Sequence, residues 1–150
     1  MFMKAALFVL VLGAGLVACS KPAPPSRAQR VTLIQKNGSS FELVPADGLP
    51  PHCHVFAVTA TGYVQLHTAT EDQLSLDCPA GAPITGRALR VPKREGKVSM
   101  YVIFSDRRIE SAPLSMQIQE MVSQQKPVTA VDLRAPGRVV VEMAEFTPSE

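Results

Sequence analysis

Histidine and cysteine crowd one short stretch of this chain, His52-Cys53-His54. Imidazole nitrogen and thiolate sulfur are donors that copper and zinc accept readily. On an extended strand His52 and His54 project to one face and Cys53 to the other. The remaining histidine is His67. A hairpin that sets Phe56 opposite His67 makes His54 and His67 diagonal neighbours, ~7 Å apart. Two imidazoles at that spacing make half of a tetrahedral site. No third or fourth ligand stands nearby in the sequence, and Phe56 and Val58 share the same face. His52, His54 and His67 are thus weak metal candidates. The expectation is half-buried sheet histidines, with no metal and no other cofactor.

Cys53 also has a possible partner in Cys78. Bridging them would contribute about 3.5 kcal/mol in the chain-entropy account of disulfides. A regular three-stranded meander opposes this, because it places the two cysteines at opposite ends. A bridge needs Cα atoms roughly 4.4–6.8 Å apart. A strand that bends across to a second sheet would reconcile the two, and both readings stay open. Ser105-Asp106 offers a hydroxyl and a carboxylate, but no G-x-S-x-G elbow surrounds them and no histidine sits at a suggestive position. Turn formation explains the pair. H-E-x-x-H and P-loop patterns are absent too, so no catalytic residue is assigned. Arg87, Arg90, Lys93, Arg94 and Lys97 form a basic cluster interrupted by Glu95. It is either an interaction patch for an acidic partner or a charged edge that discourages sheet-to-sheet pairing.

The elements that must hold these residues are mostly strands. Val31–Lys36 and Ser40–Val44 flank Asn37-Gly38, which predicts a hairpin with a type I′ turn. Val31, Leu33, Phe41 and Leu43 would form its apolar face. Cys53–Thr59, Tyr63–Thr68 and Leu74–Cys78 read as a meander. With Thr61-Gly62 as a two-residue turn, Val55 and Ala57 share a face with Val64 and Leu66. Ile84–Val91 looks extended, and Lys93–Lys97 looks like a hairpin tip. Val98–Phe104 is a near-continuous apolar run, the pattern of a strand buried on both faces. Then the period changes. Leu114, Ile118, Met121 and Val122 make one stripe of a helix over Ser111–Gln125, with Ser111 as cap and Pro113 in the first turn. Val128–Leu133 and Arg138–Phe146 are expected as two last strands. Two prolines and Asp47-Gly48 mark a loop at Pro45–Pro51.

The beginning of the chain has its own logic. Lys4 precedes thirteen residues, Ala5–Val17, without charge or proline. That length suits a signal h-region and is too short for a membrane span, which needs about 20 residues. Leu16-Val17-Ala18-Cys19 ends the run and resembles the lipobox of bacterial lipoprotein signal peptides. The resemblance implies cleavage after Ala18 and a diacylglyceryl group on the Cys19 thiol, hence a membrane partner through the N-terminal lipid and a site in the cell envelope. Ser20 in place of Asp resembles an outer-membrane rather than an inner-membrane sorting signal. The proline-rich stretch Ser20–Gln29 predicts a tether of about 30 Å. One domain, residues 30–147, follows residues 1–18 of signal and 19–29 of anchor and tether.

The formal charge is +2, and +1 once Lys4 is gone. Such a weak field, with no tryptophan and few aromatics, argues against nucleic acid as a partner. Gly62-Tyr63, Cys78-Pro79 and Met100-Tyr-Val-Ile-Phe-Ser-Asp-Arg-Arg108 resemble the landmarks of an uncharacterised bacterial domain family found on envelope lipoproteins. Lys97 stands where that pattern carries an acidic residue. The resemblance implies an immunoglobulin-like antiparallel β-sandwich, here with one helix near residues 112–125, and no enzymatic activity. The resulting expectation is a non-catalytic, lipid-anchored module that binds an envelope protein or polymer. The alternative is an inhibitor or immunity lipoprotein against an envelope-attacking enzyme or toxin. A metal carrier or enzyme built on the three histidines ranks below both.

Overall fold

A computed structural model of the chain describes residues 28–149. The signal peptide, the acylated Cys19 and the tether up to residue 27 that the sequence leads one to expect lie outside the described residues. The fold is mainly β, a sandwich of two antiparallel sheets with one helix. The smaller sheet has the order β1 (Val31–Asn37), β2 (Ser40–Pro45), β6 (Leu89–Arg90). The larger runs β4 (Val64–Leu66), β3 (His52–Thr59), β7 (Val98–Ser105), β8 (Val139–Phe146), with β5 (Leu76–Asp77) also paired to β3. Helix α1 spans Ser111–Ser123.

The larger sheet is covered on both faces. Cys53, Val55, Ala57, Met100, Val102, Phe104, Ala144 and Phe146 turn toward the smaller sheet and meet Val31, Phe41, Leu43 and Leu89. Phe56, Val58 and Ile103 turn the other way, against Leu114, Ile118 and Met121 of α1, with Val128 and Leu133 beside them. This double burial is why β3 and β7 read as continuous apolar runs. In β8 the two faces alternate cleanly. Val140 and Ala144 enter the sandwich, while Val139 and Val141 pack on the helix side.

Several local expectations change. Neither Asn37 nor Gly38 takes a positive φ. The turn residues are Gly38 and Ser39, and the Asn37 side-chain oxygen accepts from both Ser39 N and Ser40 N. An Asx turn therefore replaces the type I′ turn. Ile84–Val91 is not one strand. Thr85 and Gly86 have φ of 70° and 64°, so a 3₁₀ turn at Ile84–Gly86 leaves only Leu89–Arg90 extended. Lys93–Glu95 is a second such turn and carries the chain from one sheet to the other, rather than forming a hairpin tip. Val128–Leu133 forms no strand. The Thr129 hydroxyl bonds the Asp132 carboxylate and Asp132 N donates to Thr129 O, so the segment turns and uses Val128 and Leu133 as plugs under the helix. The N-cap of α1 is Glu110, not Ser111, which lies buried in the first turn.

Phe104 is fully buried in the central strand. Phe104→Ala should cost about 3–5 kcal/mol by leaving a cavity. Urea unfolding of the variant checks this; a midpoint equal to that of the parent would remove β7 from the centre of the core.

Candidate functional site

The long excursion after β4 decides where the chemistry-bearing residues meet. Strand β4 pairs with β3 at Phe56↔Leu66, Ala57↔Gln65 and Val58↔Val64. The chain then leaves, and β5 returns to the same edge of β3 at His52↔Asp77 and Cys53↔Leu76. So β5 does not extend a meander beyond β4. The gap between them is bridged by Thr68, whose hydroxyl accepts from Val55 N, and by His67 N donating to Val55 O. Because β5 lies directly against the start of β3, Cys53 and Cys78 come together. They form a disulfide with Cα atoms 5.8 Å apart.

The observed register differs by one residue from the sequence expectation. Val64 and Leu66 share a face with Phe56 and Val58, not with Val55 and Ala57. The same slip sets His67 opposite Val55, which assigns it to the face away from His54. The three histidines therefore do not converge. Among the described residues no group of three or more His, Cys, Asp or Glu is gathered around a point.

Each histidine has a different role. His52 Nδ1 lies 2.9 Å from Asp77 Oδ1. Arg108 donates to both Asp77 oxygens at 3.0 Å. His54 is fully buried, and its Nε2 lies 2.9 Å from the Ile109 carbonyl. A carbonyl only accepts, so Nε2 carries the proton and Nδ1 presents a lone pair to the interior without a partner. His67 Nε2 is enclosed and unpartnered as well. Burial pushes the pKa of both below the ordinary value; at His54 the Ile109 carbonyl opposes this only in part.

Asp77, His52 and Ser105 stand side by side on β5, β3 and β7. This is the order of a hydrolase triad. Ser105 is fully buried, however, and its Oγ bonds nothing, so the row has no accessible nucleophile. Sequence reading missed the row because it depends on β5 returning to β3. Asp106 does form the turn expected of it. Its carboxylate accepts from Arg138 N, and a Cβ on Gly137 would run into it.

The basic cluster sits on the crossover between sheets. Lys97 pairs with Glu145 at 2.8 Å and Arg94 with Glu95 at 3.3 Å. Exposed pairs of this kind contribute ~0–1 kcal/mol, so they tie the patch only loosely. Arg90 lies beside Ser40. The patch is thus at the far end of β1 from the entering chain, where Arg30 meets Glu142 at 3.1 Å.

A mostly apolar concavity lies elsewhere, at the start of α1. Leu74, Ile109, Pro113, Leu114, Ala135 and Pro136 line a cleft of about 330 Å³, with Arg108, Glu110 and Arg134 completing its wall. Its sides are fixed. Ser75 N donates to Ile109 O and Ser111 N to Gln73 O, so residues 73–75 and 109–111 hold each other as a short bridge. The Gln117 side chain grips the Arg134 backbone, accepting from its N–H at 2.6 Å and donating to its carbonyl at 3.0 Å. No sequence motif marked this cleft; the Gln117 contact spans two segments that only the fold brings together.

No family model, curated protein or solved structure matches this chain.

The depressed histidine pKa values have a consequence for stability. A folded pKa below the unfolded one means that the unfolded chain binds the proton first. Stability should therefore be complete above about pH 6.5, begin to fall as pH drops through the unfolded value, and keep falling down to the folded pKa. Melting temperatures at about pH 7.5 and about pH 5 should differ, and His54→Gln should reduce the difference, leaving the part due to His67. An unchanged slope in that variant would show that His54 titrates normally in the fold.

Proposed function

We propose that this chain is a lipoprotein of the cell envelope, acylated at Cys19, that works without catalysis as a binding or assembly module for another envelope protein or polymer. The observation that supports the reading is the disulfide. The chain has three cysteines, and Cys53 and Cys78 are bonded to each other inside the core. Disulfides persist in exported proteins and are rare in reducing compartments. Cys19 is then the one thiol left for modification, and it is the one in the lipobox-like stretch. Two or three acyl chains on one residue, at ~0.8 kcal/mol per buried methylene, hold a protein stably at a bilayer. Ser20 in place of Asp favours the outer over the inner membrane. A proline-rich tether would let the domain work about 30 Å from that surface.

Metabolic labelling tests the anchor. The full chain expressed in a bacterium should take up labelled palmitate, and Cys19→Ser should abolish the label and leave an uncleaved precursor. Label retained by Cys19→Ser would sink the anchor assignment. Crosslinking of the intact lipoprotein in cells should capture a defined envelope component; a chain that crosslinks to nothing would contradict the module reading.

A further inference from the structure

We propose that the cleft at the start of α1 binds a zwitterion with an apolar body, of the class of free α-amino acids with a large aliphatic or aromatic side chain. The inference rests on the binding-module reading and supplies a ligand class for its candidate site.

The apolar part follows from the lining. Six of the nine lining residues are Leu74, Ile109, Pro113, Leu114, Ala135 and Pro136. The volume, about 330 Å³, lies at the small end of the range for ligand pockets, roughly 300–1,000 Å³. The main-chain groups at its rim are largely spent on each other. Ile109 O accepts from Ser75 N and His54 Nε2, Ser111 N donates to Gln73 O, and both backbone groups of Arg134 go to Gln117. Little ladder is left for an extended peptide to join. The occupant is therefore compact and carries its polar groups at one end.

The charge pattern selects that end. Arg108 is already committed to Asp77, one guanidinium nitrogen donating to both carboxylate oxygens. Arg134 and Glu110 are not. Among the described residues the Arg134 guanidinium forms no ion pair, and Glu110 caps the helix without a side-chain bond to it. The lining thus combines an apolar surface with one cation and one anion that have no side-chain partner among the described residues. A simple fatty carboxylate would suit Arg134 but bring a like charge toward Glu110. An α-amino acid presents carboxylate and ammonium on a single carbon, with its side chain free to enter the cleft. Both charges then find a partner.

The test uses the full-length protein in detergent micelles and isothermal titration with L-phenylalanine and L-leucine. Saturable binding at millimolar concentrations or below is expected for at least one. N-acetylphenylalanine, which lacks the ammonium, and phenylalaninamide, which lacks the carboxylate, should each bind at least tenfold more weakly. Arg134→Gln and Glu110→Gln should each weaken the amino acid at least tenfold. Both residues are exposed, so the melting temperature should stay unchanged. Absence of saturable binding overturns the proposal, as does binding that both variants retain. Decanoate binding unaffected by Glu110→Gln, with no response to either amino acid, also overturns it and reassigns the cleft to acyl carboxylates. If the amino acids fail while in-cell crosslinking still captures a defined envelope component, only this inference falls. If crosslinking fails too, the module reading falls with it.

Discussion

The structure depends on a sheet that has no free face. Alternate residues of β3 and β7 enter two different cores, one shared with the smaller sheet and one with α1. Each fully buried Val, Ile or Phe is worth about 1.5–3 kcal/mol relative to exposure. Uncovering either face would therefore forfeit many kcal/mol at once. The dependence runs both ways. A helix of thirteen residues is marginal in water on its own, so α1 persists because Leu114, Ile118 and Met121 have the outer face of the sheet to bury against. The smaller sheet is equally dependent, since two of its three strands supply Val31, Phe41 and Leu43 to the other core and the third is only two residues long.

Covering the helix side also creates the cleft and the buried histidine beside it. The connection from β7 to α1 must cross the end of the sheet. It is strapped down at Ile109, whose carbonyl accepts from Ser75 N and faces buried His54, and whose N–H donates to the Ser75 hydroxyl. The same strap lifts Arg108 onto Asp77 and places Glu110 at the helix start. The return of β5 to β3 supplies Asp77 and closes the disulfide. Bridge, histidine latch and cleft thus all result from two segments, 73–78 and 106–111, being held against the start of β3. The cleft is preformed, so a ligand would not have to order its walls, which favours binding.

Much of this architecture was legible in the sequence. Val98–Phe104 announced a doubly buried central strand by its unbroken apolar run, and the Leu114–Ile118–Met121 spacing announced the helix and its buried stripe. The first hairpin was legible too, although its turn was not, because Asn37 folds its side chain onto the backbone instead of adopting a positive φ. What could not be read were pairings between distant segments. In β4, Val64 and Leu66 would suit either core, so alternation alone could not set the register, and a slip of one residue moved His67 to the wrong face. The disulfide stayed undecided because a regular meander, with β5 paired to β4, sets Cys53 and Cys78 at opposite ends, whereas β5 pairs with β3. Val128 and Leu133 look like strand residues because apolar side chains in a turn leave the same mark as those in a short strand. The cleft was invisible for a related reason: Gln117 and Arg134 have no local signature, and their contact exists only once the helix has docked.

The central claim is that α1 is an obligatory layer over the larger sheet. Its most direct test is equilibrium unfolding of Ile118→Asp beside Met116→Asp. Ile118 is fully buried against the sheet and Met116 is 69% exposed on the opposite side of the helix. The first substitution places an unpaired carboxylate in an apolar core and should cost several kcal/mol, enough to unfold much of the protein in the absence of denaturant. The second should change stability by about 0.5 kcal/mol or less. Equal, small effects from both would contradict the claim: the helix would then be undocked, and the outer face of the sheet stable without it.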